Sequence, residues 1–164
     1  MFSFAPDRHA DKAALYHDLA EAARALTADE PDPVANMANC AALIALYCAD
    51  LNWAGFYRWH EGSDELVLGP FIGKPACIRI AIGTGVCGTA AASGESQCVA
   101  DVHAFPGHIA CDADSRSELV VPVWHKGRVI AVIDCDSPLP ARFDAEDTRG
   151  LEALAAAIAP RIAG

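Results

Sequence analysis

The sequence is short of positive charge. Its 164 residues include 12 lysines and arginines against 22 aspartates and glutamates, which leaves a net charge of −10. Nucleic acids and anionic membranes both attract proteins through clustered basic residues, so this balance argues against either partner. The first residues, MFSFAPDRHADK, contain no apolar run of signal-peptide length, and no run elsewhere is long enough to span a bilayer. We therefore expect a cytoplasmic protein.

The chain also has no CxxC pair among its seven cysteines. An odd number of scattered cysteines does not suit the disulfide framework of a small secreted protein, so some of them should be reduced thiols. No composition shift or linker divides the chain, and its length is enough for one substantial core. The sequence therefore predicts a single domain over residues 1–164.

Apolar periodicity predicts helices at both ends of the chain. One helix presents Leu15, Leu19, Ala22 and Leu26 on one face. Pro31 and Pro33 start a second helix. Its apolar face comprises Val34, Met37, Cys40, Ala41, Ile44 and Cys48. Cys40 and Cys48 are thus predicted core residues, and residues 145–162 form a closing helix.

The middle of the chain alternates short strands with turns. Strands are predicted over 52–59, 65–71, 77–82, 97–100, 118–124 and 128–136, and the short loops between neighbours indicate antiparallel pairing. Thr84 is a candidate N-cap for a short helix that runs to Ala92 and ends at Gly94. Residues 101–116 show no period, and an unpatterned loop of this length is usually functional.

The hairpin that ends the predicted sheet carries three carboxylates. A three-residue loop of His125, Lys126 and Gly127 would pair Glu118 with Asp134 and place Asp136 on the same face. A two-residue Lys126–Gly127 loop would put Cys135 opposite Glu118 instead. Gly127 favours the first arrangement. Carboxylates in an apolar hairpin indicate a cationic ligand or a raised pKa, unless they are strand-end groups in water.

Three cysteines lie in turns rich in glycine or proline, namely Cys77, Cys87 and Cys111. Cys87 follows the predicted cap by three residues, where the free amides of a helix N-terminus should lower a thiol pKa and favour Cys87 as nucleophile. Cys111 follows His108 by three residues, so an imidazole could assist it.

A zinc site is the alternative use of this loop. His103, His108 and Cys111 have a spacing near that of known zinc ligands, and Asp101, Asp112 or Cys98 would have to complete the set. The missing CxxC pair disfavours it, and no metal site is predicted. Cys98 and Cys135 are most simply explained as small buried hydrophobic residues.

Five segments resemble the free methionine-(R)-sulfoxide reductases, which are GAF-domain enzymes that reduce the free amino acid. The segments are NWAGFY at 52–57, LVLGPFIGKPACIRI at 66–80, GTGVCGTAA at 83–91, DVHAFPGHIACDADSRSE at 101–118 and IDCDSP at 133–138. The resemblance runs from about residue 52 to 147 and includes the order and spacing of all three turn cysteines. It implies an α+β, GAF-like fold with a central antiparallel β-sheet flanked by helices.

The resemblance also implies roles for the three thiols, and it overrides the choice of Cys87 as nucleophile. Cys111 becomes the catalytic thiol that forms a sulfenic acid, Cys77 the resolving thiol that forms a Cys77–Cys111 disulfide, and Cys87 an auxiliary thiol. An external dithiol such as thioredoxin then resets the enzyme, and no other cofactor is implied. The family also suggests a homodimer.

The same resemblance implies a substrate pocket for free methionine sulfoxide. Its expected residues are Glu118, Asp134, Asp136, Trp53 and Tyr57. The three carboxyl groups would form an acidic pocket, with one of them protonated to activate the sulfoxide oxygen. Trp53 and Tyr57 lie four apart in a strand and share a face, where aromatic residues are more often core than pocket wall.

Two other functions stay open. A GAF domain can serve as a small-molecule or redox sensor, in which Cys77 and Cys111 form a signalling disulfide without turnover. A reductase of protein-bound methionine sulfoxide would instead need an open groove for a peptide.

Overall fold

A computed structural model describes residues 4–7, 9–60, 62–107 and 112–163. Its helices are α1 (Lys12–Thr27), α2 (Pro33–Tyr47), α3 (Gly85–Ser93) and α4 (Ala145–Ile162). Its strands are β1 (Trp53–Trp59), β2 (Glu65–Gly73), β3 (Arg79–Ala81), β4 (Gln97–Val99), β5 (Ser117–His125) and β6 (Arg128–Ser137). The predicted loop over 101–116 contains one 3₁₀ turn, Val102–Ala104. Within these ranges, no helix is long and apolar enough to cross a membrane.

Side-chain caps define where three helices begin. Asp11 accepts a hydrogen bond from the Ala14 amide, and Asp32 accepts from the amides at the start of α2. Asp144 and Asp147 form a reciprocal capping box at α4. Caps of this kind satisfy amides that have no partner within the helix, each contributing about 1 kcal/mol. The caps at α2 and α4 lie at the two helix starts that the sequence predicted, beside Pro33 and Ala145.

The strands form one antiparallel sheet in the order β3-β2-β1-β6-β5-β4. The predicted α+β fold is therefore confirmed. Helices α1, α2 and α4 pack on one face of the sheet, over a core that includes Phe56, Leu119 and Ile133. Cys40 and Cys48 belong to this core, as predicted, whereas Val34 in the first turn of α2 is half exposed.

Helix α3 covers part of the opposite face. The smaller core on that side contains Trp53, Tyr57, Cys87, Val120 and Val132. Since side chains alternate along a strand, residues next to Leu119 and Ile133 in sequence point to this second face. The alternation therefore sends Glu118, Asp134 and Asp136 to the α3 side of the sheet.

The hairpin register differs from the predicted one. Lys126 and Gly127 both have positive φ, 49° and 79°, and form a two-residue turn with His125 paired to Arg128. Such turns match the twist of antiparallel strands better than a longer loop does. Ile130 is then an extra residue, because Trp124 pairs with Val129 and Val123 with Ala131.

This bulge changes which carboxylates face each other. Glu118 lies opposite Asp136, and Asp134 lies opposite Val120, so the predicted Glu118–Asp134 pair is wrong. The alternative that placed Cys135 opposite Glu118 is wrong as well. A two-residue loop without a bulge would have turned the β6 carboxyl groups to the opposite face of the sheet from Glu118. The inserted residue returns them to the same face. All three carboxylates thus share a face, as expected, although by a different register.

Candidate functional site

A pocket lies between α3 and the second face of the sheet. Six of the predicted site residues line it, namely Trp53, Tyr57, Cys87, Glu118, Asp134 and Asp136. The empty space inside the pocket and across its opening is about 550 Å³. Polar side chains that converge beside an apolar wall are typical of a small-molecule site.

The three carboxyl groups come from β5 and β6 and lie together at the base of the second core. Glu118 and Asp134 are each only 6% exposed, and Asp136 is partly exposed. The explanation that treats them as strand-end groups in water is therefore wrong. One oxygen of Asp134, Oδ1, is buried without a hydrogen-bond partner in the described part of the chain.

Burial dominates the electrostatics of this cluster. It raises the pKa of Asp134 to about 7, although hydrogen bonds with Cys87 and Glu118 act in the opposite direction. Burial also raises the pKa of Glu118 well above its usual range, and the charges of Asp134 and Asp136 add to the effect. The pKa of Asp136 is raised by burial and then by the charge of Asp134. Carboxyl groups in this cluster therefore keep protons near neutral pH, which suits a proton donor.

Cys87 lies in the first turn of α3, against the carboxyl groups. Its Sγ is 4.0 Å from Glu118 Oε1. Burial raises the pKa of the thiol well above its usual range, and the charges of Asp134 and Glu118 raise it further. The expectation that the helix N-terminus lowers this pKa is therefore wrong. A helix dipole contributes about 0.3–1 kcal/mol, which is less than a buried thiol loses beside two acidic groups.

The aromatic residues form a stack along β1 and β2. The Trp53 ring lies 5.9 Å from Tyr57 and 5.2 Å from Phe71, with nearly parallel planes. Gly55 makes room for the stack, because a Cβ at that position would be 2.4 Å from the Phe71 Cβ. Trp53 and Tyr57 both line the pocket and are buried in the core, so they are core residues and pocket wall at once.

The same stack holds the segment that carries Cys77. Trp53 Nε1 donates a hydrogen bond to the Lys74 carbonyl at 3.1 Å, and the Tyr57 hydroxyl donates to the Cys77 carbonyl at 3.0 Å. Cys77 takes part in a disulfide. Cys111 and His108 lie outside the described residues, so the predicted Cys77–Cys111 pair stays a prediction, as does the zinc alternative with His103.

Cys98 does not match its prediction. Its side chain is exposed, whereas Cys135 is buried as expected. The short edge strand β4 pairs on one side only and turns this residue toward solvent. The Cys98 thiol contacts the Phe143 carbonyl at 3.5 Å.

A polar cluster beside the pocket was not predicted. Lys74 Nζ forms ion pairs with Asp112 and Asp114. Asn52 donates hydrogen bonds to Asp112 at 3.2 Å and to Ser115 at 3.0 Å. The pKa of Asp112 is lowered, chiefly by the Asp114 amide and also by Lys74 and Asn52. This cluster joins the loop before β3 to the loop before β5.

Lys74, Asp112 and Ser115 line the pocket as well. Among the described lining residues, Lys74 is the one with a positive charge. Closeness in sequence was the one indication of these two residues, since Lys74 lies near Cys77 and Asn52 precedes Trp53. Sequence spacing does not reveal ion pairs between residues almost forty positions apart.

Comparison with known proteins agrees with the fold. The GAF domain family model matches residues 14–162. The free methionine-R-sulfoxide reductase of Escherichia coli is 49% identical over 146 residues, which cover 89% of this chain and 87% of that protein. The chain belongs to this reductase family.

Solved structures of similar proteins extend the comparison. The X-ray structure of the reductase from Neisseria meningitidis, in complex with its substrate, superposes with a TM-score of 0.94 at 45% identity. It covers 99% of this chain and 96% of the Neisseria chain. A Burkholderia vietnamiensis protein described as a putative GAF sensor is 55% identical, with a TM-score of 0.89, and covers 94% and 100% of the two chains.

Proposed function

We propose that this reductase family member converts free L-methionine (R)-sulfoxide to L-methionine with its own thiols. The observation that carries the proposal is the convergence of three carboxyl groups and two stacked aromatic rings in one pocket. Those groups match an amino acid that has a charged amine, a polar sulfoxide and an apolar side chain. The 49% identity to the E. coli enzyme supports the same substrate.

The acidic residues are proposed to recognise the substrate ammonium. A buried carboxylate is costly unless a cation or hydrogen bonds compensate it, and Asp134 Oδ1 has no partner within the described part of the protein. An ammonium supplies both charge and donors. A methionine inside a polypeptide has an amide nitrogen instead, so the pocket favours the free amino acid.

The remaining polar end of the substrate is its carboxylate. Lys74 is placed to interact with it, because this side chain lines the pocket and is 60% exposed. Its present partners, Asp112 and Asp114, would then share Lys74 with the substrate. Trp53 and Tyr57 would enclose the apolar part of the substrate side chain.

The chemical step needs an acid and a thiol. One carboxyl group of the acidic triad, which comprises Glu118, Asp134 and Asp136, donates a proton to the sulfoxide oxygen. At the same time the Cys111 thiolate attacks the sulfur. The substrate S–O bond breaks and its hydroxyl passes to the Cys111 sulfur. The bond between the two sulfurs breaks as well, so methionine leaves and Cys111 remains as a sulfenic acid. Cys77 attacks that sulfenic sulfur and releases water, which leaves a Cys77–Cys111 disulfide.

The disulfide must be reduced before another cycle. Two electrons come from an external dithiol, for which thioredoxin is the proposed donor. Cys87 is the proposed auxiliary thiol in this exchange, and its raised pKa keeps it protonated in the folded pocket. The family resemblance also carries the proposals of a cytoplasmic location and a homodimer.

Thioredoxin-coupled NADPH consumption with racemic free methionine sulfoxide tests the proposal. We expect consumption to stop near half of the racemate, to disappear in Cys111→Ser and to fail to recycle in Cys77→Ser. Cys98→Ser is the matched control, because this exposed thiol lies outside the pocket, and it should keep full activity. A wild-type protein that shows no turnover although its disulfide is reducible would contradict the proposal and favour a redox sensor.

A further inference from the structure

Three side chains with metal-binding atoms meet at the base of the pocket. They are Cys87 from α3, Glu118 from β5 and Asp134 from β6. The Cys87 sulfur and one carboxylate oxygen from each acid all lie within 4.8 Å of one another, and all three residues are buried. Since three separate elements supply these groups, the fold itself determines their spacing.

A second observation concerns one acceptor atom of this cluster. Asp134 is 6% exposed, and its Oδ1 has no hydrogen-bond partner among the residues that the structure describes. Lys74, the one cationic residue among the described lining residues, forms its ion pairs with Asp112 and Asp114 instead. Within the described residues Asp134 Oδ1 is therefore a buried acceptor without a donor, and a bound metal ion would supply its partner.

We propose that Cys87, Glu118 and Asp134 form a zinc site in the reduced protein. One thiolate and two carboxylates would bind Zn²⁺, and a fourth position would stay open to water, as in other zinc sites with three protein ligands. The thiol proton, and any carboxyl proton, passes to solvent as the metal binds. The thiolate favours zinc over magnesium or calcium, which prefer all-oxygen ligands.

The observed spacing is close to what zinc needs. Tetrahedral zinc with ordinary Zn–S and Zn–O bonds separates sulfur from oxygen by about 3.6 Å. Cys87 Sγ and Glu118 Oε1 are 4.0 Å apart, and the three ligand atoms all lie within 4.8 Å of one another, so zinc binding requires the side chains to move closer together. This set shares no residue with the His103, His108 and Cys111 alternative that the sequence raised.

Zinc at this position would exclude substrate. The metal would occupy the acidic groups that the proposed function assigns to the substrate ammonium, so this consequence rests on that proposal. Zinc would then act as a competitive inhibitor, and zinc binding would protect Cys87 from thiol reagents. Metal binding itself does not depend on the enzyme activity and can be measured without it.

Cobalt absorption provides the test. The full-length protein is reduced with dithiothreitol, and the reductant is then removed under anaerobic conditions. The protein is titrated first with CoCl₂ and then with ZnCl₂. We expect a near-ultraviolet band from thiolate-to-cobalt charge transfer, which added zinc removes. Cys87→Ser should lose the band, whereas Cys98→Ser and Cys111→Ser should keep it.

Carboxyl variants make the test independent of the thiol. Asp134→Asn and Glu118→Gln keep the side-chain shape and should raise the zinc Kd at least about tenfold, each with a cooperative thermal transition. A wild-type protein without the band, or a band that persists in Cys87→Ser, would overturn the proposal. The band in an inactive protein would leave the zinc site standing and refute the proposed function alone.

Discussion

Asp134→Asn removes one buried carboxyl group and should change how stability depends on pH. The pKa of Asp134 is about 7 in the folded protein, against its ordinary value of 3.8. The folded state therefore holds a proton that the unfolded chain has released throughout this window. The stabilisation is complete below pH 3.8 and is lost as the pH rises to about 7.

The size of the effect follows from the width of that window. A shift of about three pH units, at about 1.4 kcal/mol per unit, gives about 4 kcal/mol. Asparagine does not titrate and does not suffer this loss. The free energy of unfolding of Asp134→Asn, minus that of the wild type, should therefore increase by up to about 4 kcal/mol between pH 4 and pH 7.

Urea denaturation of both proteins at half-unit pH steps, in one redox state, measures this difference. Asp29→Asn is the matched control, because Asp29 is an exposed aspartate far along the chain from the pocket segments. It should follow the wild type at every pH. A constant difference between Asp134→Asn and the wild type across the window would refute the burial argument for the whole acidic cluster.

Three further predictions concern packing, buried charge and substrate binding. Gly150→Ala should lower the free energy of unfolding by about 2 kcal/mol in urea denaturation, because the new Cβ would lie 2.1 Å from the Tyr16 ring. Asp147→Asn should cost about 3 kcal/mol in the same assay, because it removes the buried counter-ion of Arg142. Lys74→Met should raise the KM for methionine sulfoxide in steady-state kinetics, because it removes the one positive charge among the described lining residues of the pocket. An unchanged KM would contradict the role proposed for Lys74.

Helix positions were the most predictable part of the fold. The closing helix was predicted over 145–162 and is observed at Ala145–Ile162. Its start is marked locally by Asp144 and Asp147, which cap it, and its apolar residues recur at helical spacing. Information that is local in sequence was enough here.

The hairpin shows where local information ends. Gly127 fits a two-residue turn as well as the predicted three-residue loop, and the bulge at Ile130 has no signature in the sequence. The prediction that the carboxyl groups share a face was nevertheless correct, because the shorter turn and the bulge change the register in ways that cancel for side-chain direction. The burial of Cys87 could not be predicted from the sequence either. Its raised pKa depends on neighbours from β5 and β6 that no local pattern identifies.

The pocket residues divide in the same way. Strand alternation and motif resemblance were enough to predict Trp53, Tyr57 and the acidic triad, and the structure brings all five together. Lys74 was not predicted, because its importance comes from ion pairs across two loops. Contacts between distant segments are a property of the folded chain.

The central claim is that the acidic pocket selects a free amine, and a comparison of two substrates tests it most directly. We would measure kcat/KM for free methionine (R)-sulfoxide and for its N-acetyl derivative with dithiothreitol as reductant. The account predicts a preference for the free amino acid of at least about a hundredfold, because acetylation leaves buried carboxylates without a cation. Equal kcat/KM values for the two substrates would contradict it.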